Sequence, residues 1–374
     1  MRADAVGLGG PALRAAGMRV DVPMESVAVM GFAEVIRHLP AIRRARNRLL
    51  QLLREDPTAL FLPIDSPGLN LGLARAAHRM GRRVVYYVLP QVWAWDYGRV
   101  RRIREDVDLM LLLFRFEEEI AAREGIRARW VGHRVGGLAA VTETRESARE
   151  AMGVDDRDLV IALLPGSRAG EIRRHLPPML DAAARLASQM GRPARVIVSE
   201  GGPGAATPRG HVADLWNSVR ATRWPGLSPE LLRAADLALV ASGTATLEAA
   251  MLGAPMVVVY RTGRFNYEIA RRLVRLPRIG LVNIVLGADV APECIQDRAT
   301  GIEIARAAAP LLVDPARREA QRAAFARLPE LLGGPGSAER AADALIEFIA
   351  GSRDAAPRPD EVLRMSRGAG GEGA

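Results

Sequence analysis

Several polar clusters in this sequence follow short apolar runs, and the first of them contains a carboxylate. Asp65 comes directly after the apolar run 59–64 and is followed by Ser66. Ligands of open α/β sheets bind beyond the carboxyl ends of strands, so a carboxylate there is well placed to act as a general base. Alternatively, either side chain could cap the helix predicted to follow. The sequence leaves both interpretations open.

The second cluster, Leu164-Pro165-Gly166-Ser167-Arg168, ends a predicted strand in a glycine turn before a helix. A glycine lets the backbone approach a phosphate, and the amides at the start of a helix point toward it. Arg168 would add a cation that can bind a phosphate through two hydrogen bonds. The pattern favours an anion site, and an ordinary strand–turn–helix joint is the alternative.

The third cluster, Ser242-Gly243-Thr244, opens a helix with hydroxyl groups, and Glu248 lies one turn further on. The hydroxyls could donate to an anion, and a carboxylate at that distance could accept both hydroxyls of a ribose. A capping box between the start of the helix and Glu248 is the structural alternative. Together, the second and third clusters could bind the phosphates and ribose of a nucleotide.

Two further segments could contact a sugar or a membrane. Trp93 and Trp95 follow a predicted strand and could stack on a sugar, although packing in the core is the expected role of at least one of them. The segment Arg37–Arg54 predicts an amphipathic helix with leucines on one face and arginines elsewhere. Such a helix could lie on an anionic bilayer, or it could simply pack on the sheet. The arginines in question include Arg43, Arg44 and Arg48.

The elements that must position these residues alternate strand and helix in two successive runs. Short apolar strands and helical patterns recur over 59–131 and again over 159–260. This rhythm predicts an α/β fold with two Rossmann-like parallel-sheet domains facing a cleft. The predicted units are an N-terminal domain 1–150, a C-terminal domain 151–330, a C-terminal helix 331–351 and a disordered tail 352–374. A helix over 304–309 is predicted to end at Pro310.

Composition narrows the classes of protein. The net charge is +9, yet all 52 basic residues are arginine, which indicates genomic bias rather than a nucleic-acid partner. A phosphorylated substrate or an anionic membrane surface suits the charge equally well. A single cysteine excludes an intrachain disulfide, and the five histidines lack the spacing of metal ligands. No apolar run is long enough to span a membrane, and no signal peptide is evident, so a cytoplasmic protein without a metal or cofactor is predicted.

Taken in order, these clusters resemble those of the lipid-A-disaccharide synthases, over about 9–297 of the chain. Each motif alone is weak, and their joint occurrence in one order is specific. The residues that carry the resemblance are Gly9-Gly10-Pro11, Val29-Met30-Gly31-Phe32-Ala33-Glu34-Val35, Ile64-Asp65-Ser66-Pro67, Val92-Trp93-Ala94-Trp95, Val131-Gly132-His133, Leu163-Leu164-Pro165-Gly166-Ser167-Arg168, Ala241-Ser242-Gly243-Thr244-Ala245-Thr246-Leu247-Glu248, Pro255-Met256-Val257-Val258, Tyr260-Arg261, Pro292-Glu293 and Gln296.

The resemblance implies a GT-B fold and a metal-free, inverting glycosyl transfer. The donor would be UDP-2,3-diacylglucosamine and the acceptor 2,3-diacylglucosamine 1-phosphate, giving the lipid A disaccharide and UDP. Asp65 would be the general base, and Arg168 would stabilise the departing diphosphate. The acylated substrates imply a peripheral position on the cytoplasmic face of the inner membrane. The residues expected to hold the donor are Gly166, Ser167, Ser242, Gly243, Thr244, Glu248, Asn283, Glu293 and Gln296.

The chain also departs from the family pattern. Such proteins normally begin with a strand and a Gly-Glu-x-Ser-Gly-Asp loop, whereas this chain starts at what resembles the second strand, Ala3–Gly7. Gly68, Arg134 and Val282 stand where the family usually has aspartate, proline and proline. The leading hypothesis is an active synthase whose start codon lies upstream. The alternatives are a divergent or inactive relative that binds a UDP-sugar, a sugar-nucleotide epimerase, and a nucleic-acid-binding protein.

Overall fold

The computed structural model describes residues 4–27, 32–94, 96–200, 209–226, 229–263, 267–268 and 277–351, without the side chains of 32–38. The C-terminal half contains a six-stranded, wholly parallel sheet. Continuous apolar runs form its central strands because both of their faces are covered by helices. The strands are β6 (Leu159–Leu164), β7 (Ala194–Glu200), β8 (Thr222–Pro225), β9 (Leu237–Ala241), β10 (Met256–Tyr260) and β11 (Glu293–Ile295). Their order across the sheet is β11-β10-β9-β6-β7-β8.

The N-terminal half has its parallel strands in two separate pieces. β1 (Val6–Gly9) pairs with β2 (Arg19–Pro23), and β3 (Val85–Tyr87), β4 (Leu109–Leu112) and β5 (Ala128–Trp130) form a three-stranded sheet. The predicted strand over 59–64 is present as a segment bridged in parallel beside β3, with Phe61 opposite Val84 and Ile64 opposite Tyr87. Within the described ranges, no strand links this segment to β1.

Helices cover the sheets, and most lie close to their predicted positions. The helix predicted to end at Pro310 instead continues to Val313, so that prediction is wrong. A proline in the last turn removes only one hydrogen bond near the end of a helix, where the cost is smallest. The α-helices whose bounds the structure describes are Pro11–Ala15, Phe32–Glu55, Pro67–Arg79, Arg99–Asp106, Glu117–Arg123, Arg145–Ala151, Ala169–Met190, His211–Ser218, Pro229–Ala234, Thr244–Met251, Leu281–Leu286, Gly301–Val313, Pro315–Phe325, Leu328–Leu331 and Ser337–Gly351.

The chain crosses between the two halves twice. Helix Arg145–Ala151 is fixed to the C-terminal half, because Arg145 binds the Asp236 carboxylate at 2.7 Å. The first crossing therefore precedes residue 145, slightly before the boundary at 150. The second crossing leads into the last helix, Ser337–Gly351, whose Ala344 and Phe348 pack on the β3–β4 face of the N-terminal sheet.

Close backbone packing joins the two crossings. The His133 amide donates to the Leu332 carbonyl at 2.9 Å. A Cβ atom on Gly136 would lie 2.5 Å from the Gly334 carbonyl oxygen, so only glycine fits there without a shift. The segments 132–136 and 332–334 therefore form a tight waist between the halves.

The basic helix Phe32–Glu55 turns its apolar face inward. Leu49 and Leu50 are buried against Leu73, and the predicted membrane-facing Arg48 forms an ion pair with Asp21. The apolar face is therefore used for packing, which is the surface-helix alternative. Arg43 and Arg44 are exposed. No helix in the described parts of the chain is long and apolar enough to cross a bilayer.

Candidate active site

The turn after β6 is shaped as an anion site would require. Gly166 has φ +112°, and a Cβ there would lie 2.6 Å from Glu171 Oε2, so glycine is needed on both counts. Arg168 stands at the start of helix Ala169–Met190, and its Nη1 lies 2.8 Å from Glu171 Oε1. The guanidinium is half exposed and can turn to a ligand, while Ser167 is exposed beside it.

The turn after β9, the strand next to β6, presents the second predicted cluster. Gly243 is the N-cap of helix Thr244–Met251 and makes no side-chain cap, so the capping-box alternative is wrong. The Ser242 hydroxyl donates to the Ile279 carbonyl at 2.7 Å and thereby fixes the neighbouring loop. Thr244 is partly exposed at the first helical position. These two turns lie side by side because β6 and β9 are paired.

Glu248 lies one turn into that helix and meets the N-terminal half. Its Oε1 accepts a hydrogen bond from Arg134 Nη2 at 2.8 Å. Because Arg134 follows β5 and Glu248 follows β9, this ion pair shows that the carboxyl edges of the two sheets face each other. The cleft predicted from the sequence is therefore present.

The predicted donor residues beyond β10 support loops instead of facing outward. Asn283 is fully buried, and its amide bonds the backbone of Val290 and Ala291 and the Glu293 carboxylate. Glu293 also accepts from the amides of residues 279 and 280. Gln296 binds both backbone groups of Thr262. Because the polar atoms of these three side chains bind other groups of the protein, they fix the loops beside the turns after β6 and β9.

His175 was not singled out in the sequence, yet it links two of these loops. The ring is buried, with Nδ1 2.9 Å from the Pro165 carbonyl, and Nε2 accepts from the Arg261 amide at 2.9 Å. Burial lowers the pKa of His175, which favours the neutral ring that this pair of hydrogen bonds requires. Only its position in the fold reveals this role, since a histidine one turn and a half into a helix carries no distinctive spacing.

Asp65 lies in the N-terminal half, in a backbone conformation that L-residues rarely adopt. Asp65 and Ser66 have φ values of 48° and 49°. The Asp65 carbonyl is held by the Tyr86 hydroxyl at 2.8 Å and by Asn70 Nδ2 at 2.7 Å. Neither side chain caps the helix, so the capping alternative is wrong. The exposed carboxylate has no hydrogen-bond partner among the described residues, and backbone strain of this kind clusters at functional sites.

Trp93 is anchored by a buried carboxylate that the sequence analysis did not identify. Trp93 Nε1 donates to Glu117 Oε1 at 3.2 Å, and the indole packs edge-on against Phe116. Glu117 Oε2 accepts from the amides of Leu113 and Phe114. Burial raises the pKa of Glu117 to about 7. Trp93 therefore anchors the loop that carries it, and Trp95 lies outside the described residues.

His133 precedes Arg134 in the chain and is buried in the N-terminal half. Its Nδ1 accepts from the Val135 amide at 3.1 Å, and its ring stacks on Phe114. Burial, together with the charge of Arg134, lowers the pKa of His133 to about 4, so the ring is neutral near pH 7. In the described part of the chain, no group of three or more histidine, cysteine or acidic side chains could hold a metal ion.

Two facing Rossmann-like halves with these turns along the cleft define a GT-B-type glycosyltransferase fold. The calicheamicin glycosyltransferase CalG4 has the same fold, with a TM-score of 0.56 and 18% identity over 95% of this chain and 92% of that one. A putative UDP-N-acetylglucosamine 2-epimerase from Listeria monocytogenes aligns with a TM-score of 0.56 and 13% identity, over 93% of this chain and 87% of that one.

The family follows from the sequence comparisons. The model of the lipid-A-disaccharide synthetase family matches residues 1–346. The lipid-A-disaccharide synthase of Geobacter metallireducens is 37% identical over 347 residues, which cover 93% of this chain and 90% of that protein. The chain belongs to this family of enzymes, which confirms the resemblance drawn from the motifs.

Proposed function

We propose that this chain joins UDP-2,3-diacylglucosamine to 2,3-diacylglucosamine 1-phosphate, forming the β-1,6-linked lipid A disaccharide and UDP with inversion. The observation that carries the proposal is the family match over 1–346. The adjacent turns after β6 and β9 support it, because they offer helix amides, a cation and a carboxylate to a nucleotide. The 37% identity to the Geobacter metallireducens synthase over 93% of this chain argues against the divergent or inactive alternative.

In the proposed donor complex, the UDP lies along the turns after β6 and β9. Glu248 accepts the ribose hydroxyls through Oε2, which remains available beside the ion pair at Oε1. Gly166, Ser167, Gly243 and Thr244 let the diphosphate approach helix amides. Arg168 leaves Glu171 and stabilises the charge that develops on the departing diphosphate. Asn283, Glu293, Gln296 and Ser242 keep the surrounding loops in place.

In the proposed acceptor complex, Asp65 removes the proton from the attacking hydroxyl. Its exposed carboxylate is free to accept that proton, and its backbone is fixed by Tyr86 and Asn70. A general base of this kind contributes rate by aligning and deprotonating the nucleophile in the transition state. Asp65→Asn should therefore abolish transfer while UDP affinity is kept. Loss of transfer together with loss of folding would instead indicate a structural role.

The test is a transfer assay with both acylated substrates in detergent and without added metal. Arg168→Ala should lower kcat by about 100-fold or more, as loss of an oxyanion donor does in other enzymes. Arg185→Ala is a matched control, because Arg185 lies on the same helix, is 45% exposed against 51% for Arg168, and also pairs with an acidic neighbour. Unchanged turnover in Arg168→Ala would refute its role. UDP release without acceptor would point to the epimerase or to hydrolysis.

Acylated substrates also require an apolar surface near the membrane. We place this surface on the N-terminal half, on the cytoplasmic face of the inner membrane, with Arg43 and Arg44 facing anionic lipid. Most exposed large apolar side chains of the described residues lie in this half, namely Val6, Leu13, Met24, Leu39, Leu62, Ile64 and Tyr97. Exposed apolar groups beside arginines suit an interfacial position.

Binding to vesicles tests the membrane side of the proposal. Sedimentation with phosphatidylglycerol vesicles should be weakened by the double change Arg43→Glu and Arg44→Glu. It should be nearly unaffected by Arg101→Glu, since Arg101 is 79% exposed on another helix. Equal losses in both variants would mean that general charge, rather than this helix, attracts the membrane. Salt-dependent binding of an oligonucleotide at the same concentration would revive the nucleic-acid alternative.

A further inference from the structure

One ion pair in the cleft joins the two halves at a position where the family usually has proline. Arg134 Nη2 lies 2.8 Å from Glu248 Oε1, and the two side chains are 72% and 12% exposed. The pair is unequal, because Glu248 is nearly buried while the guanidinium projects into the cleft. Arg134 has four further N–H groups, and none has a hydrogen-bond partner among the described residues.

The carboxylate alone would disfavour the ligand proposed for this site. A nucleoside diphosphate carries negative charge one sugar ring away from the hydroxyls that Glu248 would accept. Like charges at such a distance repel strongly when one of them is poorly hydrated. A cation bound to Glu248 removes that repulsion, and the Arg134 guanidinium is already bound to Glu248.

The guanidinium can serve both groups at once. Its planar fork presents several donors in fixed directions, so one N–H can stay on Glu248 while others reach a phosphate oxygen. Charge-assisted hydrogen bonds of this kind are about twice as strong as neutral ones. Arg168 offers its cation from the β6 turn of the C-terminal half, whereas Arg134 offers one from the N-terminal half.

We propose that Arg134 is a donor-binding residue supplied by the N-terminal half, which bridges Glu248 and the diphosphate of the bound nucleotide. The proposal rests on the function proposed above, and it adds a contact across the cleft that ties donor binding to the relative position of the halves. Arg134 discriminates by charge: it strengthens the binding of UDP and contributes little to that of neutral uridine.

The experiment compares two ligands with and without the diphosphate. UDP affinity is measured by calorimetry and uridine affinity by ligand-observed NMR, for the wild type, Arg134→Ala and Arg306→Ala. Arg306 is a matched control, because it is also 72% exposed and pairs with a glutamate at 2.6 Å. Arg134→Ala should weaken UDP binding by about 10-fold or more and change uridine binding by less than about two-fold. Arg306→Ala should change neither.

Two results would overturn the proposal. Tighter binding of both ligands by Arg134→Ala would mean that the arginine competes with ribose for Glu248. Unchanged UDP affinity would mean that the guanidinium does not reach the diphosphate. A salt titration gives a second readout, since added NaCl should weaken UDP binding to the wild type more than to Arg134→Ala.

Failure of the underlying function gives a different pattern. If Glu248→Gln leaves uridine affinity unchanged, the donor site is misplaced, and the role of Arg134 falls with it although the transfer reaction itself is not refuted. If the wild type does not bind UDP, the proposed function falls as well. If Glu248→Gln weakens uridine binding and Arg134→Ala leaves UDP binding unchanged, only the role of Arg134 is refuted. Arg134→Lys keeps the charge without the fork and should retain part of the UDP affinity.

Discussion

Titration of Glu117 should be visible at the indole of Trp93, because the carboxylate accepts the Trp93 N–H. Burial raises the pKa of Glu117 from 4.5 to about 7, although three donors favour the ionised form. The expected observation is a change in the Trp93 indole NMR signal with a midpoint near pH 7. Glu117→Gln should remove that transition and leave other indole signals unchanged.

The raised pKa of Glu117 also makes the stability of the protein depend on pH, and it determines the sign of that dependence. Between pH 4.5 and about 7 the folded state keeps a proton that the unfolded chain has released. The stability contributed by Glu117 is therefore complete below pH 4.5 and is lost as the pH rises to about 7. A shift of this size corresponds to about 3 kcal/mol. Relative to Glu117→Gln, the wild type should lose about 2–3 kcal/mol of unfolding free energy from pH 5 to pH 8.

Urea unfolding of both proteins at the two pH values measures this difference directly. Glu118→Gln is the control, since Glu118 is the exposed neighbour on the same helix. The reasoning would be refuted by a wild-type minus variant difference that is the same at both pH values. A Trp93 transition that persists in Glu117→Gln would assign the titration to another group.

Three other changes test the supports of the site. Folding lowers the pKa of His175, so the stability that its neutral ring contributes is lost as the pH falls below 6.5. His175→Phe should abolish this acid-dependent loss, measured as urea midpoints, and should raise KM for the donor at pH 8. A pH profile of stability that is the same in the variant and the wild type would contradict this. Gly136→Ala should destabilise the protein by about 1–3 kcal/mol, because the new methyl group overpacks against Gly334. Gly137→Ala is the control and should leave stability unchanged, since a Cβ there meets nothing within 4 Å. Thermal melts measure both effects. Asn283→Ala leaves buried backbone groups unpaired and should lower the free energy of unfolding by about 3 kcal/mol. A variant with full stability and weakened UDP binding would instead mean that Asn283 contacts the donor directly.

The sequence predicts the central strands well and the edges poorly. β6 and β4 are continuous apolar runs, because helices cover both faces of a parallel sheet, and their positions agree with the structure. The sequence patterns do not predict β2, β8 and β11. These short strands lie at sheet edges, where polar residues are tolerated and no periodic signal remains.

In the site, too, features formed by neighbouring residues could be predicted, whereas contacts between residues far apart in the chain could not. The glycine turn before Arg168 is a local pattern, so its place at the end of β6 could be predicted. The partners of Glu117, His175 and Glu248 are backbone groups or side chains brought close only by folding, and no spacing encodes them. For this reason the sequence did not reveal that Asn283 binds a loop of the protein itself, since an asparagine with that role looks the same in a sequence as one that binds a ligand.

The waist at segments 132–136 and 332–334 makes the chain pass between the halves twice at one place. A single linker would let one half swivel in any direction about the other. Two adjacent passages in backbone contact leave bending about the line through them as the easy motion, and they resist torsion. Opening and closing of the cleft should therefore follow one hinge axis. A protease that cuts only the first passage would leave the two halves covalently attached through the second.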